Sequence, residues 1–468
     1  MLADAPGVLA ALVPPGSDDV EITSVVHDTR AVVVGSLFCC VPGARVDGHD
    51  LAAEAIAAGA SAVLVERTLS VGAPQVQVES VRQAMGPLAA ALWEHPSNDL
   101  TVVGVTGTSG KTTTTHLLAS VLDAHGWETA VLGTLTGPRT TPEAPELQAL
   151  LAGERKRGRR AIAMEVSSHA LAMGRVKATR FAVAVFTNLS HDHLDFHADL
   201  DDYFETKASL FTPGYSDVAV VNLDDERGRE LERRRLVPTE GYSLLDVDAL
   251  VVGANHCSFR WRGTQVELPM GGRFNVSNAL AAGAAAAQLG VPIATIAAGL
   301  GQANPVPGRF EAIDEGQPFA VLVDYSHKPG ALAGALEAAR DVAIGGRVLV
   351  VFGAGGDRDA SKRPEMGAVA ARLADRVVLT SDNPRSEDPQ SIIDAVRAGI
   401  ASSTDLLVEP DRGAAIRQAL AEAAPGDVVL IAGKGHETVQ VVGDTELPFD
   451  DRVVARQVLV DLRGSRPW

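Results

Sequence analysis

Short unbroken apolar runs recur along most of this chain, each followed by a polar or glycine-rich turn and then by a stretch of helical character. Runs of that length read as buried strands, and their alternation with helices predicts α/β units built on parallel sheets. Residues 1–98 make a first, small α/β unit. In it, β-like runs at 32–41 and 62–66 flank a turn at 42–49 and an alanine-rich helix at 51–58, and a helix at 81–94 ends at the break His95-Pro96-Ser97-Asn98. Residues 99–306 make a second unit, with strands predicted at 100–105, Thr129–Leu132, 161–166, 182–187 and 218–222 and helices between them. That is the order of a doubly wound parallel sheet. It closes with a helix at 275–289 and a proline-rich linker at 304–308. Residues 307–468 make a third unit, with strands at Ala320–Asp324, 347–352, Arg376–Leu379 and Val428–Ala432. The expected fold is therefore α/β in three domains: a central P-loop-type sheet flanked by a small N-terminal α/β domain and a C-terminal Rossmann-like domain.

The turn after the first central strand adds chemistry to this pattern. Residues 104–112 read Gly-Val-Thr-Gly-Thr-Ser-Gly-Lys-Thr. Glycines let backbone N–H groups approach phosphate oxygens, and the following helix N-terminus adds partial positive charge. Lys111 would reach the terminal phosphates of ATP and the Thr112 hydroxyl would ligate magnesium. Gly104, Gly107 and Gly110 stand three apart, and the glycine expected five residues before Gly110 in the ordinary Walker A pattern is Val105. The competing reading is a glycine-rich turn without nucleotide. The strand before it and the helix after it favour ATP.

Bulk properties narrow the partners. At 468 residues the chain exceeds one core, and 46% apolar with 21% charged residues is ordinary globular composition. A net charge of −18 argues against nucleic acid as a partner. Three cysteines make no disulfide framework, and the N-terminus lacks the basic and apolar regions of a signal peptide. The weakly apolar stretch 279–300 is mostly alanine and glycine and contains Pro292, so core helices are expected there rather than a membrane insertion. A cytoplasmic monomer is expected.

Other polar clusters follow strands, where functional groups of such sheets collect. Glu165 ends a strand and would hold magnesium directly or through water; its alternative is a structural carboxylate capping the next helix. The burst 188–195 contains His193, a candidate metal- or oxygen-facing group that is otherwise structural. Lys207 lies on an amphipathic helix at 203–211, and from spacing alone it is a solvated side chain. In the third unit, Asp324 is placed to hold a ribose hydroxyl and His327 to stack on a base. Arg358 and Arg385 suit bidentate recognition of a carboxylate, and Glu437 suits an ammonium.

Taken together these segments resemble the Mur ligases of peptidoglycan synthesis, nearly end to end, and within them the branch that adds the third amino acid. The resemblance is carried by Asp28-Thr29-Arg30, the loop 104–113, Thr140-Thr141-Pro142, the run Glu165 to Leu171, Asp192-His193-Leu194-Asp195 and the Lys207 segment. Further on it is carried by 274–278, Pro307-Gly308-Arg309, 324–329, 355–359, Asp382-Asn383-Pro384-Arg385 and 433–437. Ser109 stands where the family usually has asparagine and Thr29 where it usually has serine, while His191, Phe196 and Ala198 depart from the usual run.

The resemblance implies ATP-dependent amide ligation through an acyl phosphate on UDP-N-acetylmuramoyl-L-alanyl-D-glutamate. It implies that the N-terminal domain holds this substrate, the central domain ATP, and the C-terminal domain the incoming amino acid. Gly107, Thr108, Ser109, Gly110, Lys111, Thr112, Thr113, Asn278, Arg309, Asp324 and His327 would contact ATP. Glu165, His193 and Thr112 become magnesium-site residues, and Lys207 becomes a carbamylated lysine serving a second magnesium, the reverse of its local reading. Lys111, Lys207 and His193 would be the catalytic set. Thr29, Thr140, Thr141, Ser168 and Arg175 would contact the UDP-sugar dipeptide. Asp382, Asn383, Pro384 and Arg385, with Arg358, Gly433 and Glu437, would select meso-diaminopimelate over lysine, because its extra carboxylate suits an arginine. A ligase adding the terminal dipeptide, a folylpolyglutamate synthase and an ATP-switch regulator are the alternatives. The N-terminal unit and the Asp382–Arg385 string argue against the first two, and the retained Arg385 and Glu437 argue against the third.

Overall fold

A computed structural model describes residues 8–12, 20–43, 46–194, 196–343 and 345–465. Asp195 of the histidine-rich run, and residues 44 and 45 of the turn at 42–49, lie outside the described residues.

The central sheet runs Thr239–Tyr242, Ser216–Asn222, Phe181–Phe186, Thr101–Thr106, Ala161–Glu165, Thr129–Leu132, parallel throughout. Alternation along its first strand in the chain, Thr101–Thr106, shows why it is wound on both faces. Val103 and Val105 pack with Leu117, Leu118 and Val121 of the helix Lys111–Ala124 and with the alanines of Arg273–Gln288. Val102 points the other way, to Leu147 and Leu151 of Ala144–Lys156. Successive strand residues face opposite sides, so a run apolar at every position buries both faces. The chain passes from Thr101–Thr106 to two strands on one side, then to three on the other. The phosphate loop thus leaves the sheet where the winding reverses, the usual ligand position in open α/β sheets.

The C-terminal sheet runs Glu311–Ala312, Ala320–Asp324, Val428–Ala432, Val348–Phe352, Arg376–Leu379, Leu406–Val408. Only the short first strand is antiparallel. Val428–Ala432, the last of its strands in the chain, inserts between two earlier ones, and because these strands are parallel the loops after residues 324, 379 and 432 leave at one edge. The N-terminal sheet runs Val8–Leu12, Gln75–Val78, Ala60–Val65, Ser36–Cys39, Ser24–Val26.

Several expectations are corrected. The strand predicted at 32–41 is confined to Ser36–Cys39, because Gly35 turns the chain at φ 92° and Val33 and Val34 stay exposed. An antiparallel meander of Val247–Val252, Cys257–Trp261 and Thr264–Leu268 was not anticipated. Its signal was present: Cys257, Phe259 and Trp261 face the core while Arg260 faces out. The stretch 279–300 spans two helices, Arg273–Gln288 and Ile293–Gly301, separated by Gly290 and Pro292. Among the described residues no helix is long and apolar enough to cross a membrane.

Candidate active site

The phosphate loop is held open by its glycines and by a second strand end. Gly107 sits at φ 146° and Gly110 at φ 86°, and a Cβ at either would collide, with Thr187 Oγ1 and with Asn278 Oδ1 respectively. Asn188 braces the loop from the neighbouring strand: its Oδ1 accepts from Ser109 N (3.0 Å), its Nδ2 donates to Ser109 O (3.2 Å), and its carbonyl accepts from Thr108 N (2.8 Å). Thr112 and Thr113 are buried in the first helical turn. Asn278 Nδ2 donates to Asn275 Oδ1 (3.1 Å), which fixes the amide beside Gly110.

Two lysines meet under this loop. Lys111 Nζ donates to Gly107 O and to Thr108 O, both at 2.9 Å, and Lys207 Nζ donates to Gly107 O at 2.9 Å. Lys207 is 1% exposed and stands 4.5 Å over the Tyr203 ring. The local reading of Lys207 as solvated is therefore wrong. The helix Leu200–Ala208 turns the face bearing Tyr203, Phe204 and Lys207 into the protein. Burial lowers Lys111 to about 8, partly opposed by the Glu165 carboxylate. Burial pushes Lys207 well below its ordinary value, and the charge of Lys111 adds to the shift.

Glu165 is buried at its strand end and does not cap the following helix, which Ser167 caps through Ala170 N (3.2 Å). Its Oε1 accepts from Thr112 Oγ1 (3.1 Å) and Thr134 N (2.8 Å). Thr134 Oγ1 lies 3.0 Å from Thr140 Oγ1, and Thr141 Oγ1 donates to Glu165 O (2.9 Å). From the third domain, Arg309 Nη2 donates to Thr112 Oγ1 (3.3 Å). Carboxylate, hydroxyl and guanidinium thus converge on the first residues of the loop helix.

The burst after the next strand crosses to the third domain. Asp192 Oδ2 accepts from Lys328 Nζ at 2.5 Å and lies 3.3 Å from His193 Nε2. Burial opposes the charge of Asp192, but the Lys328 ammonium and His193 outweigh it and hold the carboxyl below its ordinary value. Burial, with Lys328 beside it, lowers His193 to about 4, so its imidazole is neutral near pH 7. The His193 ring lies 4.8 Å from His169 and 6.0 Å from Tyr203. Ser168 is buried against His197 Nε2 (3.0 Å), and Arg175 pairs with Glu143 (2.8 Å) while donating to Thr141 O (3.3 Å).

At the C-terminal edge, Asp324 Oδ2 accepts from Phe310 N (2.7 Å), and burial raises its pKa. His327 Nδ1 lies 2.8 Å from Tyr325 O, and burial lowers its imidazole to about 3. Arg309 stacks 4.7 Å from the Tyr325 ring. Asp382 is buried under Gly433, whose φ of 116° and close approach to Asp382 Oδ2 exclude a side chain. Asn383 Nδ2 donates to Glu437 Oε2 (2.7 Å), and Arg385 Nη1 donates to Gly356 O (2.6 Å) beside the buried Pro384. Arg358 is exposed at the same edge. Thr29, in the short turn Thr29–Ala31, hydrogen-bonds to none of the other candidates among the described residues.

Sequence reasoning gave no role to Asn188, Tyr203, Asp192, Lys328 or Lys434. Asp192 and Lys328 stood in quoted motifs, but nothing local pairs two residues in different domains.

Residues 21–93 match the Mur ligase family catalytic domain, 105–286 the Mur ligase middle domain, and 308–435 the Mur ligase glutamate ligase domain. The UDP-N-acetylmuramoyl-L-alanyl-D-glutamate–2,6-diaminopimelate ligase of Streptomyces coelicolor is 46% identical, over 99% of this chain and 96% of its own length. This chain belongs to the Mur ligase family. A solved structure of a UDP-N-acetylmuramoyl-L-alanyl-D-glutamate–2,6-diaminopimelate ligase superposes on this Mur ligase with a TM-score of 0.68 at 33% identity, covering 94% of this chain and 95% of the other. The MurF ligase of Thermotoga maritima, solved with ADP, shares the fold of this Mur ligase with a TM-score of 0.64 at 23% identity, covering 95% and 97%.

Proposed function

We propose that this Mur ligase adds meso-diaminopimelate to UDP-N-acetylmuramoyl-L-alanyl-D-glutamate, using ATP, as a step of peptidoglycan precursor synthesis. The observation that carries the reading is the near-full-length relationship to ligases of that name, together with a phosphate loop ringed by cations from two domains. A glutamyl carboxylate oxygen attacks the γ-phosphorus of ATP and ADP leaves. The amine of the incoming amino acid then attacks the acyl carbon to form a tetrahedral intermediate. That intermediate expels inorganic phosphate, and the nitrogen loses a proton to leave the amide. A free carboxylate is a poor acyl donor, and phosphorylation supplies the leaving group.

In this scheme Lys111 and the backbone of 107–110 cradle the phosphates and neutralise charge on the transferring group. Arg309 brings a second cation across the domain boundary when the third domain closes. Thr113 and Asn278 shape the loop helix, and Asp324 and His327 complete the nucleotide site. The oxygens of Thr112 and Glu165 suit magnesium, which takes few protein oxygens and completes its shell with water and phosphate. Magnesium, when bound, supplies Lewis-acid stabilisation of the phosphoryl oxygens. His193 and Lys207 would serve a second such ion. Burial favours the free amine of Lys207, which attacks carbon dioxide, forms an N–C bond and releases a proton; the product is a carbamate.

The domains proposed are 1–98 for the UDP-substrate, with Thr29, 99–306 for ATP, with Thr140, Thr141, Ser168 and Arg175 facing the dipeptide, and 307–468 for the amino acid. There Arg358 and Asp382 to Arg385, with Gly433 and Glu437, would hold diaminopimelate. One chain supplies every group named, so a monomer is the proposed unit, working in the cytoplasm where its ATP is supplied. Phosphate release should require ATP, the UDP-muramoyl dipeptide and diaminopimelate together. Equal release with either acceptor-side substrate omitted would overturn the assignment.

A further inference from the structure

Lys434 is fully buried, yet its ammonium is surrounded by three acceptors from two segments of the chain. Its Nζ donates to Asn383 Oδ1 (3.1 Å), Glu437 Oε2 (3.2 Å) and Val439 O (2.6 Å). These contacts occupy all three donors of a lysine. The triangle closes on itself, because Asn383 Nδ2 donates to the same Glu437 Oε2 (2.7 Å). Asn383 Oδ1 also accepts from Val441 N (3.0 Å), which ties the triangle to the hairpin Val439–Val442 and Thr445–Pro448. Arg385, next along but one, is held to the same hairpin through Arg385 N and Val441 O (3.0 Å).

We propose that Lys434 is a positioning residue for recognition of the incoming amino acid. It fixes which way the Asn383 amide faces and holds the Glu437 carboxylate in place to meet an ammonium. The inference rests on the amino-acid pocket assigned to Asn383, Arg385 and Glu437 above. An amide whose oxygen is committed to a cation must present its NH₂ group to Glu437, so one buried charge sets two recognition groups at once. A neutral core residue of the same length would fill the space but leave the amide free to turn and Glu437 without its cation.

The test uses the whole chain with Lys434→Met, Glu437→Gln and the double variant, measuring KM for ATP, the UDP-muramoyl dipeptide and diaminopimelate. K434M should raise KM for diaminopimelate at least tenfold and leave the other two within twofold. E437Q should also raise it, and the double variant should be no worse than the larger single effect within twofold, the mark of residues acting as a unit. Multiplying effects, or an equal rise in all three KM values, would overturn the proposal. If E437Q raises KM and K434M does not, the proposal fails and the pocket stands; if E437Q leaves KM unchanged, the pocket itself fails. Lys434→Gln, which keeps a donor, is the second variant. If both lysine variants fail to fold while E437Q folds, Lys434 serves the fold alone and the proposal is overturned.

Discussion

The ammonium groups of Lys111 and Lys207 both donate to one backbone oxygen, that of Gly107, each at 2.9 Å. Two buried cations sharing a single acceptor cannot both be comfortably charged, and the more deeply enclosed one bears the larger shift. That division matches the roles proposed for the pair, Lys111 as the phosphate-binding ammonium and Lys207 as the amine that is carbamylated.

Lys207→Ala should reduce ligation by a factor of about 10²–10³, the scale for loss of a group that stabilises transition-state charge. ATP binding, measured by calorimetry, should change far less. High bicarbonate should not restore the variant, since no amine remains to carry a carbamate. Activity like that of the unaltered enzyme would remove Lys207 from the site.

In the proposed role Lys111 binds phosphate as the ammonium, and burial lowers that ammonium to about 8. As pH rises through about 8 the cation is lost, so kcat/KM for ATP should fall with a one-proton slope above that value. Lys111→Arg should lower the maximum and remove this alkaline limb, because a guanidinium does not titrate there. An unaltered limb in the variant would assign it to another group.

Lys328 and Asp192 join the third and central domains at 2.5 Å, with the carboxylate buried. Lys328→Met removes the lysine cation from Asp192 and leaves it only its His193 contacts, a cost of about 1–3 kcal/mol for a buried acceptor that loses a partner. The cost falls on the domain-closed arrangement, so kcat/KM for ATP should drop about tenfold, at about 1.4 kcal/mol per factor of ten. Asp192→Asn should reproduce much of it. Kinetics unchanged in both variants would show that this contact does not govern closure.

Arg385→Ala should raise KM for diaminopimelate about 100-fold, on the scale of 1.5–3 kcal/mol for a charged hydrogen bond, with ATP KM within twofold. Lysine lacks the second carboxylate, so its use as an acceptor should change little, and a competition assay read by product mass should show narrowed discrimination. Equal loss toward ATP and diaminopimelate would indicate a folding defect.

Arg412 and Asp451 form a bidentate pair with both side chains fully buried, at 2.7 Å for each contact. Arg412→Leu should destabilise the protein by about 3–5 kcal/mol, because it leaves a buried carboxylate without its cation. The double change Arg412→Leu with Asp451→Leu should recover most of that loss. Denaturant melts of both variants check the sign.

The inner strands of both large sheets were legible because strands buried on both faces are written as continuous apolar runs, as in 101–106 and 348–352; their order was not, since it is set by which segments meet in space. The meander at 247–268 was not read as strands, since its short apolar runs are broken by polar residues such as Asp248, Ser258, Arg260, Gln265 and Glu267. In the site, Thr112, Glu165 and Arg309 were legible as motif residues that the fold then joined. Lys434 was not, because a lysine between two glycines carries no local sign of burial.

The sequence by itself determined the α/β alternation, the phosphate loop with its three-apart glycines, and the family, since these are local patterns of residue type and spacing. Tertiary structure alone decided that Lys207 is buried against Gly107, that Lys328 reaches Asp192, and that Lys434 anchors Asn383 and Glu437. The physical reason is that the state of a charged group depends on the solvent it loses and the charges it meets. Both come from segments distant along the chain.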